Sequence, residues 1–175
     1  METAKKTVPT ANQVSSILGK LKKSSREIVN IVVHCTAGWP SESTADLIKG
    51  FRARGWKNNG YHIVVNADGS IDQITHLDNI ANGVAGHNSA SIHVSYKGGI
   101  TKKVGKIVAA DTRTPEQKAT LVKVLTRLKQ LHPKASIKGH RDFSPDLNKN
   151  GKIEPNEYIK QCPCFDAIPE YKNIK

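Results

Sequence analysis

The chain has 175 residues, of which 37% are hydrophobic, and a formal net charge of +12. That length fits one domain with a real core and is small for two, and the apolar fraction excludes a disordered chain. The basic excess favours polyanions as neighbours (nucleic acid, anionic lipid or the acidic polymers of a cell envelope) and by itself selects none of them.

In chain order, residues 1 to about 12 read as a loose tail. Val14, Ile17, Leu18 and Leu21 then share one face of a short helix over Gln13–Lys23. EIVNIVVH (27–34) is a β-branched run that stops abruptly at polar residues, the pattern of a buried strand. Ser41 and Ser43 offer caps for a helix running to about Arg54, with Ala45, Ile48 and Phe51 inward and Gly55 as its end. YHIVV (61–65) and SIDQI (70–74) flank a turn ending in Asp68-Gly69, which predicts a hairpin because glycine accepts the positive φ such turns need. Residues 78–90 are rich in Asn, Gly, Ala and Ser and read as an irregular loop, after which SIHVSY (91–96) resumes the strand pattern.

Thr114-Pro115-Glu116-Gln117 is a helix start, with Thr as cap, Pro at the first position and Gln three residues on. Leu121, Val124, Leu125, Leu128 and Leu131 form the apolar stripe, Pro133 stops the helix, and ASIKGH (135–140) is a short strand. This alternation predicts an α/β fold with one central sheet. Lysines near the ends (Lys5, Lys6, Lys20, Lys22, Lys23, Lys172, Lys175) and from Lys97 to Lys106 are expected on a solvated basic surface or a polyanion footprint. No apolar stretch approaches a membrane span, and METAKKTVPTANQ lacks the apolar core of a secretion signal. Synthesis as a soluble cytoplasmic protein is therefore expected. Three cysteines cannot all pair within one chain, and Cys162 and Cys164 stand too close to bridge comfortably.

Three residues stand out chemically. His34 ends one predicted strand, His140 ends another, and Cys162 lies in KQCPCFD near the C-terminus. Two imidazoles and a thiolate with an open fourth position make a catalytic zinc site, and the spacing is not that of a zinc finger. Cys164 competes with Cys162 for the thiolate role. Cys35, next along the strand from His34, should point to the opposite face as a buried thiol.

IVVHCTAGWP, GWKNNGYHIVVNADGSI, GHRD and KQCPCFD, in this order, resemble the zinc amidase family of phage amidase lysozymes and peptidoglycan recognition proteins over roughly residues 27–168. The resemblance implies a single domain, 25–175, after an N-terminal segment 1–24, built as a central mixed β-sheet flanked by helices with zinc in a cleft. It implies His34, His140 and Cys162 as zinc ligands, the last because the family's cysteine directly precedes proline. Tyr61 and Lys160 match the residues that assist catalysis. Read from the residues alone, Tyr61 is an ordinary strand aromatic and Lys160 a solvated charge. Two departures concern the substrate region. Many members carry His-Ala-Gly where this chain has Val84-Ala85-Gly86, and His93 replaces the usual glycine, with His87 a partial substitute.

The implied activity is hydrolysis of the amide between N-acetylmuramic acid and L-alanine in peptidoglycan, by a lysin or wall-remodelling enzyme acting outside the cytoplasm, with a monomer favoured over an oligomer. The alternatives are a peptidoglycan-binding module without catalysis, which Cys162 argues against, and a nucleic-acid-binding protein. Nucleic acid is not expected as a partner, since no aromatic array accompanies the charge. A second metal signal lies within 146–157, an insertion between His140 and Cys162. Asp146, Asn148 and Asn150 supply side-chain oxygens at the first, third and fifth positions of an EF-hand-like loop, with Gly151 sixth. Lys152 offers a carbonyl and Glu157 a carboxylate at the twelfth. Calcium is the expected ion. Ser144-Pro145 blocks an entering helix, and an exiting helix is expected from Glu157 to Gln161.

Overall fold

The structure is a computed structural model that describes residues 11–175. Most of the expected tail, with Lys5 and Lys6, lies outside the described residues. Helix α1 (Ala11–Lys20) is followed by strand β1 (Asn30–Cys35), helix α2 (Thr44–Ala53) and strands β2 (Ile63–Val65) and β3 (Ile71–Gln73). Strands β4 (Ser91–Tyr96), β5 (Ile100–Lys103) and β6 (Lys106–Ala109) precede the long helix α3 (Pro115–Leu131), strand β7 (Ser136–Gly139) and the short helix α4 (Ala167–Tyr171). The central sheet has the order β3-β2-β4-β1-β7, with the β2–β3 hairpin antiparallel and the other pairs parallel. This is the mixed α/β sheet expected from the sequence.

The period-2 alternation of the strands sorts the chain into two faces. Ile31, Val33 and Cys35 of β1, Ile63 and Val65 of β2, and Ile92, Val94 and Tyr96 of β4 enter one apolar core with Leu121, Val124, Leu125 and Leu128 of α3 and Val14 and Leu18 of α1. Each such side chain is stabilising by roughly 2 kcal/mol relative to exposure, so the sheet has little choice of register. Cys35 therefore faces away from the functional side, as the alternation predicts. On the other face Val64 packs under Leu47 and Phe51 of α2. Here the same strands present His34, His62 and His93, all buried.

Side-chain caps fix the ends of the helices. Ser43 accepts the Asp46 N–H at 3.0 Å to start α2. At α3 the Thr114 hydroxyl accepts from the Gln117 N–H while the Gln117 carboxamide accepts from the Thr114 N–H, both at 3.0 Å. The Gln117 amide also donates to the carbonyls of Val65 (3.2 Å) and Lys97 (2.9 Å), tying the helix to the ends of β2 and β4. Helix α1 stops three residues earlier than expected because Arg127 of α3 takes its terminal carbonyls, donating to Leu18 (3.1 Å) and Leu21 (2.9 Å). Gly69 is required twice over in the β2–β3 turn. Its φ is +81°, and a Cβ there would stand 3.0 Å from the Glu116 side chain.

Three expectations need correction. Ala45, expected inward on α2, is exposed, and Leu47 takes the buried place beside Phe51. Lys97 is buried rather than solvated, its ammonium donating to the Thr44 hydroxyl at 2.9 Å. No helix leaves the 146–157 loop at Glu157. A 3-10 turn over Pro155–Glu157 ends at Tyr158, whose ψ of 115° is extended, because the Glu157 carboxylate turns back onto the Glu154 N–H. The β5–β6 hairpin was not anticipated. It turns through Val104 (φ 45°) and Gly105 (φ 75°), and a β-branched residue at positive φ carries no turn signal in the sequence. No helix among the described residues is long and apolar enough to cross a membrane.

Candidate metal centre

Two adjacent parallel strands deliver the histidines. β1 and β7 pair with Val33 opposite Gly139, so His34 and His140 both come one residue beyond that pair. Cys162 reaches them from the C-terminal segment. Its carbonyl accepts the Arg141 N–H at 2.8 Å and its Sγ accepts the Cys35 N–H at 3.2 Å. Gly139 makes this approach feasible, since a Cβ there would lie 2.7 Å from Pro163 Cδ. Arg141 pairs with Asp166 and lies 4.7 Å over the Tyr158 ring, bracing the segment on both sides of Cys162.

One donor atom from each of His34, His140 and Cys162 lies within 4.8 Å of the others, the one such group of His, Cys, Asp or Glu donors among the described residues. His34 Nδ1 stands 3.7 Å from Cys162 Sγ, and the two imidazole rings are 4.9 Å apart at 71°. Burial holds the His34 pKa well below its ordinary value, helped by the charges of His93, His140 and Lys160. Burial and Lys160 push His140 down to about 4. Both rings are thus neutral at pH 7 with a free lone pair, which is the form a metal needs. Two nitrogen donors and a thiol are a donor set that suits zinc.

The two catalytic candidates border the same place. The Tyr61 ring stands 5.2 Å from His34, and its hydroxyl donates to the Cys35 carbonyl at 3.2 Å. Burial, then Cys162 and Cys35, raise its phenol pKa, so at neutral pH it is a donor and not a base. Lys160 is exposed and lines two adjoining cavities of 410 and 360 Å³ that share Trp56, Gly83 and His140. The smaller also contains Tyr61 and Cys162, and the larger runs on past Phe143 and Ile159. Together they form an open groove lined by His140 and Cys162, with His34 buried behind them.

The chain matches the N-acetylmuramoyl-L-alanine amidase family over residues 24–157. It belongs to that family. The match stops short of Cys162, so the third donor rests on geometry. Among curated relatives, an uncharacterised Haemophilus influenzae protein is 46% identical over 100 residues, covering 57% of this chain and 84% of its own. The endolysin of Enterobacteria phage K11 is 31% identical over 143 residues, covering 81% and 83%. The fold is shared with the LysCS endolysin amidase of Clostridium intestinale (TM-score 0.63, 18% identity, 86% of each chain). It is also shared with the ectodomain complex of the recognition proteins PGRP-LCa and PGRP-LCx bound to tracheal cytotoxin (TM-score 0.59, 21% identity, 87% and 86%).

Within this amidase-family chain, the 146–157 loop is folded on its own side-chain oxygens. Asp146 accepts the N–H groups of Asn150 (3.2 Å) and Gly151 (2.7 Å), and Asn148 and Asn150 accept those of Asn150 (3.0 Å) and Lys152 (2.9 Å). Glu157 accepts from Leu147, Asn148 and Glu154. Glu154, which the sequence reading passed over, accepts from the side-chain amides of Asn148 (2.8 Å) and Asn150 (3.2 Å). It occupies the ninth loop position, a ligand place in the motif. His87 packs on Phe143 with ring centres 4.7 Å apart and stands outside the three donors.

The histidine-rich face makes the metal-free fold sensitive to acid. Burial lowers His62 to about 4, against a favourable bond to the Asn79 carbonyl, and lowers His93 to about 3 together with the charge of His62. A depressed histidine contributes stability that is complete above the unfolded pKa near 6.5 and is lost as pH falls toward the folded value. Each of the two should cost roughly 1–2 kcal/mol between pH 7 and 5. Melting of chelator-treated protein should drop by about 5–10 °C over that range. An unchanged melting temperature would refute the neutral burial of these rings.

Proposed function

We propose that the chain is a zinc-dependent N-acetylmuramoyl-L-alanine amidase, hydrolysing the amide between N-acetylmuramic acid and L-alanine in bacterial peptidoglycan as a lysin or wall-remodelling enzyme. The observation that carries this is the convergence of His34, His140 and Cys162 within 4.8 Å, with His140 and Cys162 lining an open groove, in a chain of the amidase family. The endolysin relatives support the bacterial wall as the place of action.

Zinc held by His34, His140 and Cys162 would supply a Lewis acid and make a water-derived nucleophile available near neutral pH. The chain's own residues do the rest. The groove holds the sugar–peptide junction over the donors, so that the reacting carbonyl is positioned before the bond breaks. Lys160, close enough to lower the pKa of both histidines, faces the negative charge that develops on the carbonyl oxygen. Tyr61 keeps its proton and offers a second hydrogen bond once it leaves the Cys35 carbonyl.

The deciding experiment incubates the zinc-loaded protein with purified peptidoglycan and analyses the soluble fraction by mass spectrometry. Amidase action releases stem peptides with a free N-terminal alanine and leaves the glycan strands intact. The rival is a binding module, supported by the similarity to recognition proteins whose structure holds tracheal cytotoxin. Tight pelleting with peptidoglycan without peptide release would select it.

Calcium at Asp146, Asn148, Asn150, Lys152 and Glu157 is proposed on the loop motif, with Glu154 completing the positions. The accepting oxygens keep lone pairs beyond those spent on backbone N–H groups. The loop leads directly to Lys160 and Cys162, so an ion there would brace the metal centre. At calcium about 100 times its dissociation constant, stability should rise by about 2.7 kcal/mol, read as a higher melting temperature that Glu157→Gln abolishes. A melting curve indifferent to millimolar calcium removes calcium from the account.

A further inference from the structure

His93 lies outside the three donors, yet it is the residue most intimately joined to one of them. In the parallel pairing of β1 and β4, His93 stands opposite Val32, on the same sheet face as His34 and one pleat short of it. The ring is fully buried, and its Nδ1 lies 3.0 Å from His34 Nε2 with the two ring centres 5.1 Å apart. Its backbone is held as firmly as its ring. The His93 N–H donates to His62 Nδ1 at 3.0 Å, and the His93 carbonyl accepts the His62 N–H at 2.9 Å. Across the ring lies Gly83, where a Cβ would stand 2.3 Å from His93 Nδ1. The loop over 78–90 can thus close on the ring only with glycine at that place.

The proton positions follow from these contacts. His34 turns Nδ1 toward Cys162, at 3.7 Å, so Nδ1 is the nitrogen that would hold a metal and must keep its lone pair. With a metal on Nδ1, the proton of the neutral His34 ring would sit on Nε2 and be donated to His93 Nδ1. His93 would in turn carry its proton on Nε2, an atom with no partner among the described residues. We propose that His93 is a positioning residue of the metal centre. Its imidazole accepts from His34 and fixes the tautomer and ring plane that aim Nδ1 at the ion. A carboxylate or a backbone carbonyl commonly fills this place behind a metal-bound histidine. A neutral imidazole does so without adding a negative charge to a fully buried pocket, where an unpaired charge is costly.

The inference rests on the zinc reading, and the test separates the two. Zinc affinity is measured by competition with a chromogenic chelator, and the cobalt-substituted absorption spectrum is recorded, for wild type, His93→Leu and His93→Asn. Leucine fills the space without an acceptor, whereas the asparagine oxygen falls near the place of Nδ1. His93→Leu should bind zinc about 10–100-fold more weakly and alter the cobalt bands, while His93→Asn stays within about threefold of wild type with its spectrum. Gly83→Ala, which drives the ring from its place, should copy the leucine variant. In a His93→Gly background the same change should add nothing. Equal zinc affinity in wild type and His93→Leu overturns the inference and leaves the zinc reading standing, as does an asparagine variant as weak as the leucine one. A wild type that takes no zinc overturns both.

Discussion

Cys162→Ser, purified and assayed with zinc present, should lose its bound zinc and at least about 10³ of its peptide-release rate, close to 4 kcal/mol of transition-state stabilisation. Cys164→Ser should keep both. The two thiols are two residues apart in sequence, and only Cys162 is one of the three clustered donors. Cys162 Sγ sits at the end of β1 beside His34 Nδ1, held by the Cys35 N–H at 3.2 Å. Cys164 Sγ instead donates to the Gly99 carbonyl at 3.5 Å and lies 3.9 Å from Cys35 Sγ, against the apolar core. A serine hydroxyl is a poor zinc ligand beside a thiolate, and the two histidines alone leave the ion weakly held. Elemental analysis of the purified variants, paired with peptide release from the same preparations, reads both predictions. Zinc retained by Cys162→Ser and lost by Cys164→Ser would move the ligand to Cys164.

The sheet strands and the capped helices were legible because their signals are local. EIVNIVVH and SIHVSY announce buried strands by β-branched runs, and Thr114-Pro115-Glu116-Gln117 announces a helix by cap chemistry. Resemblance supplied the identity of the three donors, and the fold explains why they meet. Parallel β1 and β7 bring their C-terminal ends to one edge, and the missing side chain of Gly139 admits the Cys162-Pro163 segment. Contacts between distant residues were the illegible part. Nothing in the letters of SIHVSY says that His93 meets His34, or that Lys97 is buried against Thr44, because both depend on how separate elements pack. The alternation in each strand did place His34 and His93 on the same face once the strands were known to be neighbours, and that was the one available signal. The β5–β6 hairpin escaped for the opposite reason. Its residues are largely exposed, so no burial pattern marked them.

Lys160→Ala should lower kcat/KM by about 10²–10³ while leaving zinc bound, and Tyr61→Phe by roughly tenfold to a hundredfold. The contrast with Cys162→Ser is the point of measuring zinc in every variant. Loss of rate with the ion in place marks a residue that acts on the substrate, whereas loss of both marks a residue that holds the ion, as a ligand or behind one. The Lys160 ammonium carries a second consequence whose sign is fixed. It is among the charges that lower the pKa of His34 and the one named for His140. Removing it makes protonation of both rings less unfavourable, so their pKa values rise toward the ordinary histidine value. Protons then compete with zinc at higher pH, and the acid limit of zinc binding moves upward in Lys160→Ala. Lys160→Arg keeps the charge and should hold that limit near wild type, even where the longer guanidinium fits the groove less well and the rate falls. Tyr61→Phe changes no charge and should leave the limit where it was. If Lys160→Ala keeps full activity, the lysine is only a solvated charge at the groove mouth, and Tyr61 with the metal must suffice. If its rate falls but the acid limit stays fixed, the ammonium meets the substrate and not the histidines.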